Sequence, residues 1–182
     1  MIMIPILAGI IAFVVGLDQL TKYLALAHLQ EYHSVPWIRG VVHFTLVHNE
    51  GAAFGILSDH RWVFLVFSSL AIVGLCVYLF RFCKTDLWVK VALSFVIGGG
   101  IGNMIDRIAV GAVVDFIELP FLWLPILNMY FPIFNIADSF VTVGVGILIV
   151  RLIRLQILEI REEKRKKAES QNGKTEDGNS HE

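Results

Sequence analysis

Charge is scarce in this chain. Asp, Glu, Lys and Arg make up only 17% of its 182 residues, against roughly 25% in an ordinary soluble domain. Net charge is −1, so no basic footprint marks a nucleic-acid partner. Cysteine is equally sparse. Cys76 and Cys83 sit seven apart in what reads as one helix end, roughly 10 Å along its axis. A disulfide needs Cα atoms within about 7 Å, so both read as free thiols and a secreted disulfide scaffold is excluded. The sequence also lacks CxxC, HExxH and any clustered Cys/His spacing. Neither a metal nor another cofactor is expected.

Apolar residues fill the space that charge leaves. They are 56% of the chain, and mean hydropathy is +0.70. Disorder is excluded, and the excess of apolar surface calls for lipid. A spanning helix needs about 20 mostly apolar residues, and four stretches qualify: Ile2 to about Leu24, Trp62 to Phe80, about Leu87 to Ile105, and Ile133 to Val150. Ala25-Leu26-Ala27 resembles a signal-peptide cleavage site. However, no Lys or Arg precedes the first apolar run and Asp18 interrupts it, so a retained helix is expected.

Lys and Arg counts orient the spans. The second connection carries Arg81, Lys84 and Lys90, and the C-terminal segment Arg151, Arg154, Arg161, Lys164, Arg165, Lys166, Lys167 and Lys174. Only Lys22, Arg39, Arg61 and Arg107 lie on the other side. Both termini are therefore expected in the cytoplasm, with 25–61 and 106–132 facing outward. Trp37, Trp62, Trp88 and Trp123 fall at interfacial positions. Val42 to His48 alternates as a half-buried strand does, after a turn at Arg39-Gly40. The aromatic stretch from Phe116 to Phe134 is too apolar for a solvated loop and reads as headgroup-level structure. The domain reading is a membrane unit over 1–155 and a charged cytoplasmic tail over 156–182, a helix extension that frays.

The informative residues are polar ones in the wrong solvent. An Asp at mid-bilayer costs roughly 2.5–3.5 kcal/mol on insertion scales, so Asp138, about six residues past Pro132, needs a reason to be there. Asp115 follows the third helix on its outer side and can reach the same level. Two close carboxylates in a low-dielectric site share a proton: one becomes a base toward water, the other an acid toward a carbonyl. That is aspartyl-protease chemistry. The bland alternative makes each Asp a helix cap or structural acceptor. Asn103 and Arg107 share a helix face, Asn135 precedes Asp138 by three, and Gly98 and Gly102 form a GxxxG pair that admits a close helix neighbour. Asp106 could pair with a basic residue or cap its helix. Asp18 and Lys22 are i, i+4 and read as an intrahelical ion pair. Asn49 to Gly55 is small enough to bring backbone close to a peptide, or is a turn, and Gly51 and Gly55 would permit a hinge. His28, His33, His43, His48 and His60 are irregularly spaced and read as surface or interfacial groups.

Four segments in order resemble the lipoprotein signal peptidase family, signal peptidase II. They are Asp18-Gln19-Leu20-Thr21-Lys22, Asn49-Glu50-Gly51-Ala52-Ala53-Phe54, Gly98 through Asp106-Arg107 to Val114-Asp115-Phe116, and Phe134-Asn135-Ile136-Ala137-Asp138-Ser139. The resemblance covers about residues 1–153. It implies a mainly α membrane protein of four transmembrane helices with a small outward β-cradle and an interfacial helix. It also implies a monomeric aspartyl endopeptidase of the bacterial inner membrane, with its active site toward the outer face. Its partners would be membrane lipid and diacylglyceryl-modified prolipoproteins, cut just before the modified cysteine. By position, Asp115 and Asp138 are the catalytic pair. Asn49, Asn103, Arg107 and Asn135 surround the pair and its substrate, and Asp18 and Lys22 are structural. Two rival readings remain: a proton-coupled transporter, which predicts inverted repeats and a midplane site, and a non-catalytic scaffold, which leaves the acids unexplained.

Overall fold

The computed structural model describes residues 3–50, 61–83 and 86–178, with side chains over 3–50, 65–83 and 86–166. Gly51, Ala52, Ala53, Phe54, Gly55, His60 and Lys84 therefore lie outside the described residues, as do the side chains of Arg61, Trp62, Lys167 and Lys174. In chain order the elements are helix α1 (Met3–His28), strands β1 (Ser34–Ile38) and β2 (Val42–Asn49), and helices α2 (Arg61–Val77) and α3 (Leu87–Ala109). Strands β3 (Val113–Glu118), β4 (Trp123–Leu124) and β5 (Met129–Tyr130) follow, then helix α4 (Ile136–Gly178). Four helical stretches, Met3–His28, Leu65–Phe82, Leu87–Ala109 and Ile136–Lys166, are long and apolar enough to cross a membrane.

Each helix is built for lipid on most of its circumference. In α1 the buried residues are Leu7, Val14, Asp18, Lys22 and Ala25, one stripe at helical spacing. Phe13, Leu20 and Tyr23 on the remaining surface stay exposed, as a bilayer-facing side requires. Two polar residues thus sit on the protein-facing stripe of an otherwise apolar helix. Toward its C-terminal end α2 loosens into a π-turn at Tyr78–Phe82, closed by Cys83 N–H donating to Tyr78 O at 2.7 Å. Both cysteines are free thiols. Helix α3 starts on Asp86, whose side chain accepts from Val89 N–H.

The central helix is α3, packed against α1, α2 and α4. Its glycines let it be central. A Cβ on Gly98 would lie 2.8 Å from the Cβ of Val14 in α1, and one on Gly102 would overlap the Asp18 carboxylate. On α4, a Cβ at Gly144 would come within 2.7 Å of Ala92 O. The expected GxxxG contact is thus with α1. An apolar cluster of Leu7, Ile72, Leu79, Leu93 and Ile97 joins α1, α2 and α3.

Strands β1, β2 and β3 form one antiparallel sheet in that order. The expected strand from Val42 is β2, entered through a turn in which Gly40 has φ +74°. One side of it joins an apolar cluster: Phe44 and Leu46 pack with Ala25 of α1, Leu29 just after that helix, and Val114 and Phe116 of β3. On the other side, the Ser34 and Thr45 hydroxyls both donate to Glu118. Among the described residues, 119–135 contains no helix. Its β4–β5 hairpin stacks Trp123 edge-on against Tyr130 and leaves Ile126 exposed at the tip. The interfacial helix implied by the family resemblance has no counterpart among the described residues.

The fourth span needs one correction. It begins at Ile136 rather than Ile133, because Phe134 pairs backbone-to-backbone with Ile117 of β3. Asp138 therefore lies in the first turn of α4, at the rim of the bundle rather than about six residues into the helix. Helix α4 then continues without a break past Gln156.

Candidate active site

The site forms where α3 ends, β3 begins and α4 starts. Gly111, with φ +85°, turns the chain from α3 into β3. In β3 the side chains alternate, so Val114 and Phe116 join the apolar cluster while Asp115 points to the opposite face. The β2–β3 register sets Val47 opposite Asp115 and Asn49 opposite Val113, which brings the Asn49 amide within reach of the acid. Asn49 Nδ2 donates to Asp115 Oδ2 at 2.9 Å. The second oxygen, Oδ1, accepts from Asn135 Nδ2 at 2.7 Å. Asp115 is 2% exposed. Burial pushes its pKa up to about 6; the Asn49 hydrogen bond opposes this and the nearby Asp138 charge adds to it.

Asn135 is fully buried and works in three directions. Its Oδ1 accepts from Asp138 N–H at 2.9 Å, while Asp138 Oδ2 accepts from Asn135 N–H at 3.3 Å. This reciprocal pair, three residues apart, is a capping box that starts α4. The bland reading of Asp138 as a helix-end residue is therefore true, but incomplete. Asp138 Oδ1 also accepts from Asn103 Nδ2 at 2.7 Å. Asn135 Nδ2 meanwhile reaches Asp115 and, at 3.0 Å, Asn103 Oδ1. The two acids, 23 positions apart in sequence, thus hydrogen-bond to the same asparagine.

Behind them lies a buried ionic layer. Lys22 Nζ donates to Asp18 Oδ2 at 2.8 Å, Asp106 Oδ2 at 2.7 Å and Asn103 Oδ1 at 2.9 Å. Three protons meet three acceptors, so the ammonium is fully satisfied although only 3% of its side chain is exposed. Asp18 Oδ1 accepts from Ala137 N–H in the first turn of α4, and Asp106 Oδ2 from Val114 N–H in β3. Gln19 Nε2 closes the layer onto Asp106 Oδ1 at 2.9 Å. The expected Asp18–Lys22 pair is present, yet it does more than steady one helix: it ties α1, α3, β3 and α4 at one point. Asp106 takes the first of its two expected roles, pairing with a base.

Lys22 also decides which way the Asn103 amide faces. An ammonium can only donate, so Asn103 must turn Oδ1 toward Lys22 and Nδ2 toward Asp138. Arg107 is half-buried, reaches Asn103 O at 3.5 Å, and carries its charge near Asp138, Asp115 and Asp106. Every sequence-predicted site residue therefore converges here. Sequence reasoning gave no role to Gln19 or to the Ala137 amide. The i, i+3 spacing of Asn135 and Asp138 was the signal for the capping box. The described histidines lie elsewhere: His28 donates to Leu24 O, His43 meets Ser34, and His48 meets Glu31.

Two acids gathered on one asparagine at the rim of a four-helix membrane bundle suit one class, the membrane aspartic peptidases, to which comparison with known proteins assigns the chain. A family profile described as Signal peptidase (SPase) II matches residues 10–154. A lipoprotein signal peptidase of Symbiobacterium thermophilum is 44% identical over 154 residues, covering 85% of this chain and 97% of that protein. One of Brevibacillus brevis is 43% identical over 141 residues, covering 78% and 90%. A solved bacterial membrane enzyme superposes with a TM-score of 0.74 at 36% identity, covering 83% of this chain and 89% of the other. The chain belongs to the signal peptidase II family, and it is a multi-pass hydrolase of the bacterial inner membrane.

Proposed function

We propose that this peptidase removes the signal peptide from diacylglyceryl-modified prolipoproteins, cutting before the lipid-modified cysteine, with Asp115 and Asp138 as the catalytic pair. The observation that carries the reading is Asn135, which hydrogen-bonds both acids and holds them at one level. The first-turn position of Asp138 adds support. A scissile bond between a membrane-spanning signal peptide and a lipid anchor lies at headgroup level, and a pair at the bundle's rim meets it there.

Burial divides the labour, since each acid accepts from two N–H donors but Asp115 is the more deeply buried. Asp138 receives the Asn103 amide and the Asn135 N–H, both donors, the first locked in direction by Lys22. Asp115, whose pKa burial pushes up to about 6, carries the shared proton in the reactive form of the pair. A water held between the carboxyls then loses a proton to Asp138 as it attacks the peptide carbonyl, while the Asp115 proton polarises the carbonyl oxygen. As the C–N bond breaks, the proton now on Asp138 passes to the leaving amine. Arg107, beside both acids, and Asn49 are placed to hold the substrate backbone. The basic residues after the fourth span support a cytoplasmic location for both termini, and with it a dyad on the outer side.

Asp115→Asn and Asp138→Asn test the assignment. Each lowers prolipoprotein cleavage at least about 100-fold while the protein still inserts. Near-normal processing by either variant removes that residue from the chemistry. A proton-flux assay in proteoliposomes, run beside it, checks the transporter alternative.

A further inference from the structure

At the opposite end of the α3–α4 pair lies a cavity that the chemistry above does not use. It has a volume of about 640 Å³ and is lined by Trp88 of α3 and by Val143, Gly146, Ile147, Arg151 and Arg154 of α4. Positions 143 to 154 lie along one face of α4, about 16 Å from end to end at 1.5 Å per residue. One end is apolar and the other is basic. Gly146 makes the slot: a Cβ there would meet nothing within 4 Å, whereas Gly144, two residues earlier, is closed against Ala92. Gly146 is therefore not required for helix packing.

The basic end is incompletely satisfied. Asp86 takes one Arg151 nitrogen, Nη2, but Arg151 Nε is buried with no hydrogen-bond partner. Arg154 is exposed and makes no ion pair among the described residues. Across Asp86, Arg151 and Arg154 the net charge is +1, the complement of one phosphodiester. Trp88, 67% exposed, stands beside them where an aromatic residue marks the membrane–water boundary.

We propose that this cavity binds one anionic phospholipid, its phosphate on Arg151 and Arg154 and one acyl chain in the slot beside Gly146. Guanidinium groups match phosphate oxygens in geometry as well as charge, and basic pockets between spanning helices suit lipid headgroups. A free phosphate would engage the arginines but leave the apolar slot unfilled. The inference rests on the membrane reading of the four helices and not on the peptidase assignment.

Native mass spectrometry tests it, with the full chain released from nanodiscs of equal phosphatidylcholine and phosphatidylglycerol. The expected result is one retained phosphatidylglycerol per protein. Arg154→Gln lowers its occupancy about fivefold, the value of one interfacial arginine. Arg151→Lys, which keeps the charge but loses Nε, weakens it as well. Gly146→Leu fills the slot and abolishes the adduct; leucine is the better helix former and meets no neighbour there, and an unchanged thermal unfolding midpoint in detergent serves as its folding control. Equal retention of both lipids overturns the proposal, as does an adduct that survives Gly146→Leu. Displacement by excess inorganic phosphate also overturns it, assigning the site to a free anion.

Discussion

The two ends of the α3–α4 pair both carry ion pairs between neighbouring elements, yet they differ in what those pairs do. At the rim that holds the dyad, Lys22, Asp18 and Asp106 are at most 6% exposed, and each donor has an acceptor. At the other end Asp86 and Arg151 are about 30% exposed and one arginine nitrogen has no partner. The same residue types thus serve two purposes. Buried and complete, they hold a fixed geometry, because breaking one member strands the others in a low dielectric. Open and incomplete, they contribute little to folding and keep a donor available for a ligand.

Removing charge at each end sharpens the contrast. The largest effect is expected at the proposed catalytic pair, where Asp115→Asn and Asp138→Asn should each lower turnover at least about 100-fold without loss of protein. Next, Lys22→Met should destabilise the bundle by about 3–5 kcal/mol, read by thermal unfolding in detergent, and should reduce turnover because Asn103 loses the partner that orients it. A Lys22→Met protein that melts and cleaves like the parent would show the ionic layer to be ornamental.

A subtler change tests the electrostatics of the pair. The hydrogen bond from Asn49 lowers the Asp115 pKa, so Asn49→Ala should raise it above about 6. Asp115 then stays protonated to higher pH, and the alkaline limb of kcat/KM moves upward. A limb that stays put or moves down would detach Asp115 from the shared proton. Because the acids titrate together, the limb reports the pair rather than one residue.

At the cavity end, Asp86→Asn should cost no more than about 1 kcal/mol and leave cleavage unchanged; a loss comparable to that of Lys22→Met would erase the distinction between the ends. The smallest effect is expected for truncation after Glu159. This removes a helix extension whose side chains over 160–166 are exposed, and cleavage by the inserted protein should persist.

Much of this was legible without coordinates, for a physical reason. Lipid tolerates so few arrangements that about 20 apolar residues announce a span, and all four appear close to where hydropathy puts them. Asp115 and Asp138 stood out because acids are costly there, and β2 because its alternation is local. The start of α4 was missed by three residues. Hydropathy rates Ile133 and Phe134 as helix, whereas backbone pairing of Phe134 with β3 and the Asn135–Asp138 capping box decide otherwise.

What the sequence determined by itself is the solvent of each segment and the short list of side chains out of place in it, since both follow from local composition. Which of those side chains meet was decided by the tertiary structure alone. Asp18 reaches Ala137 N–H across 119 positions, and Lys22 orients Asn103 across 81. Contacts of that kind depend on how closely glycine lets α1 approach α3, a distance that no periodicity encodes.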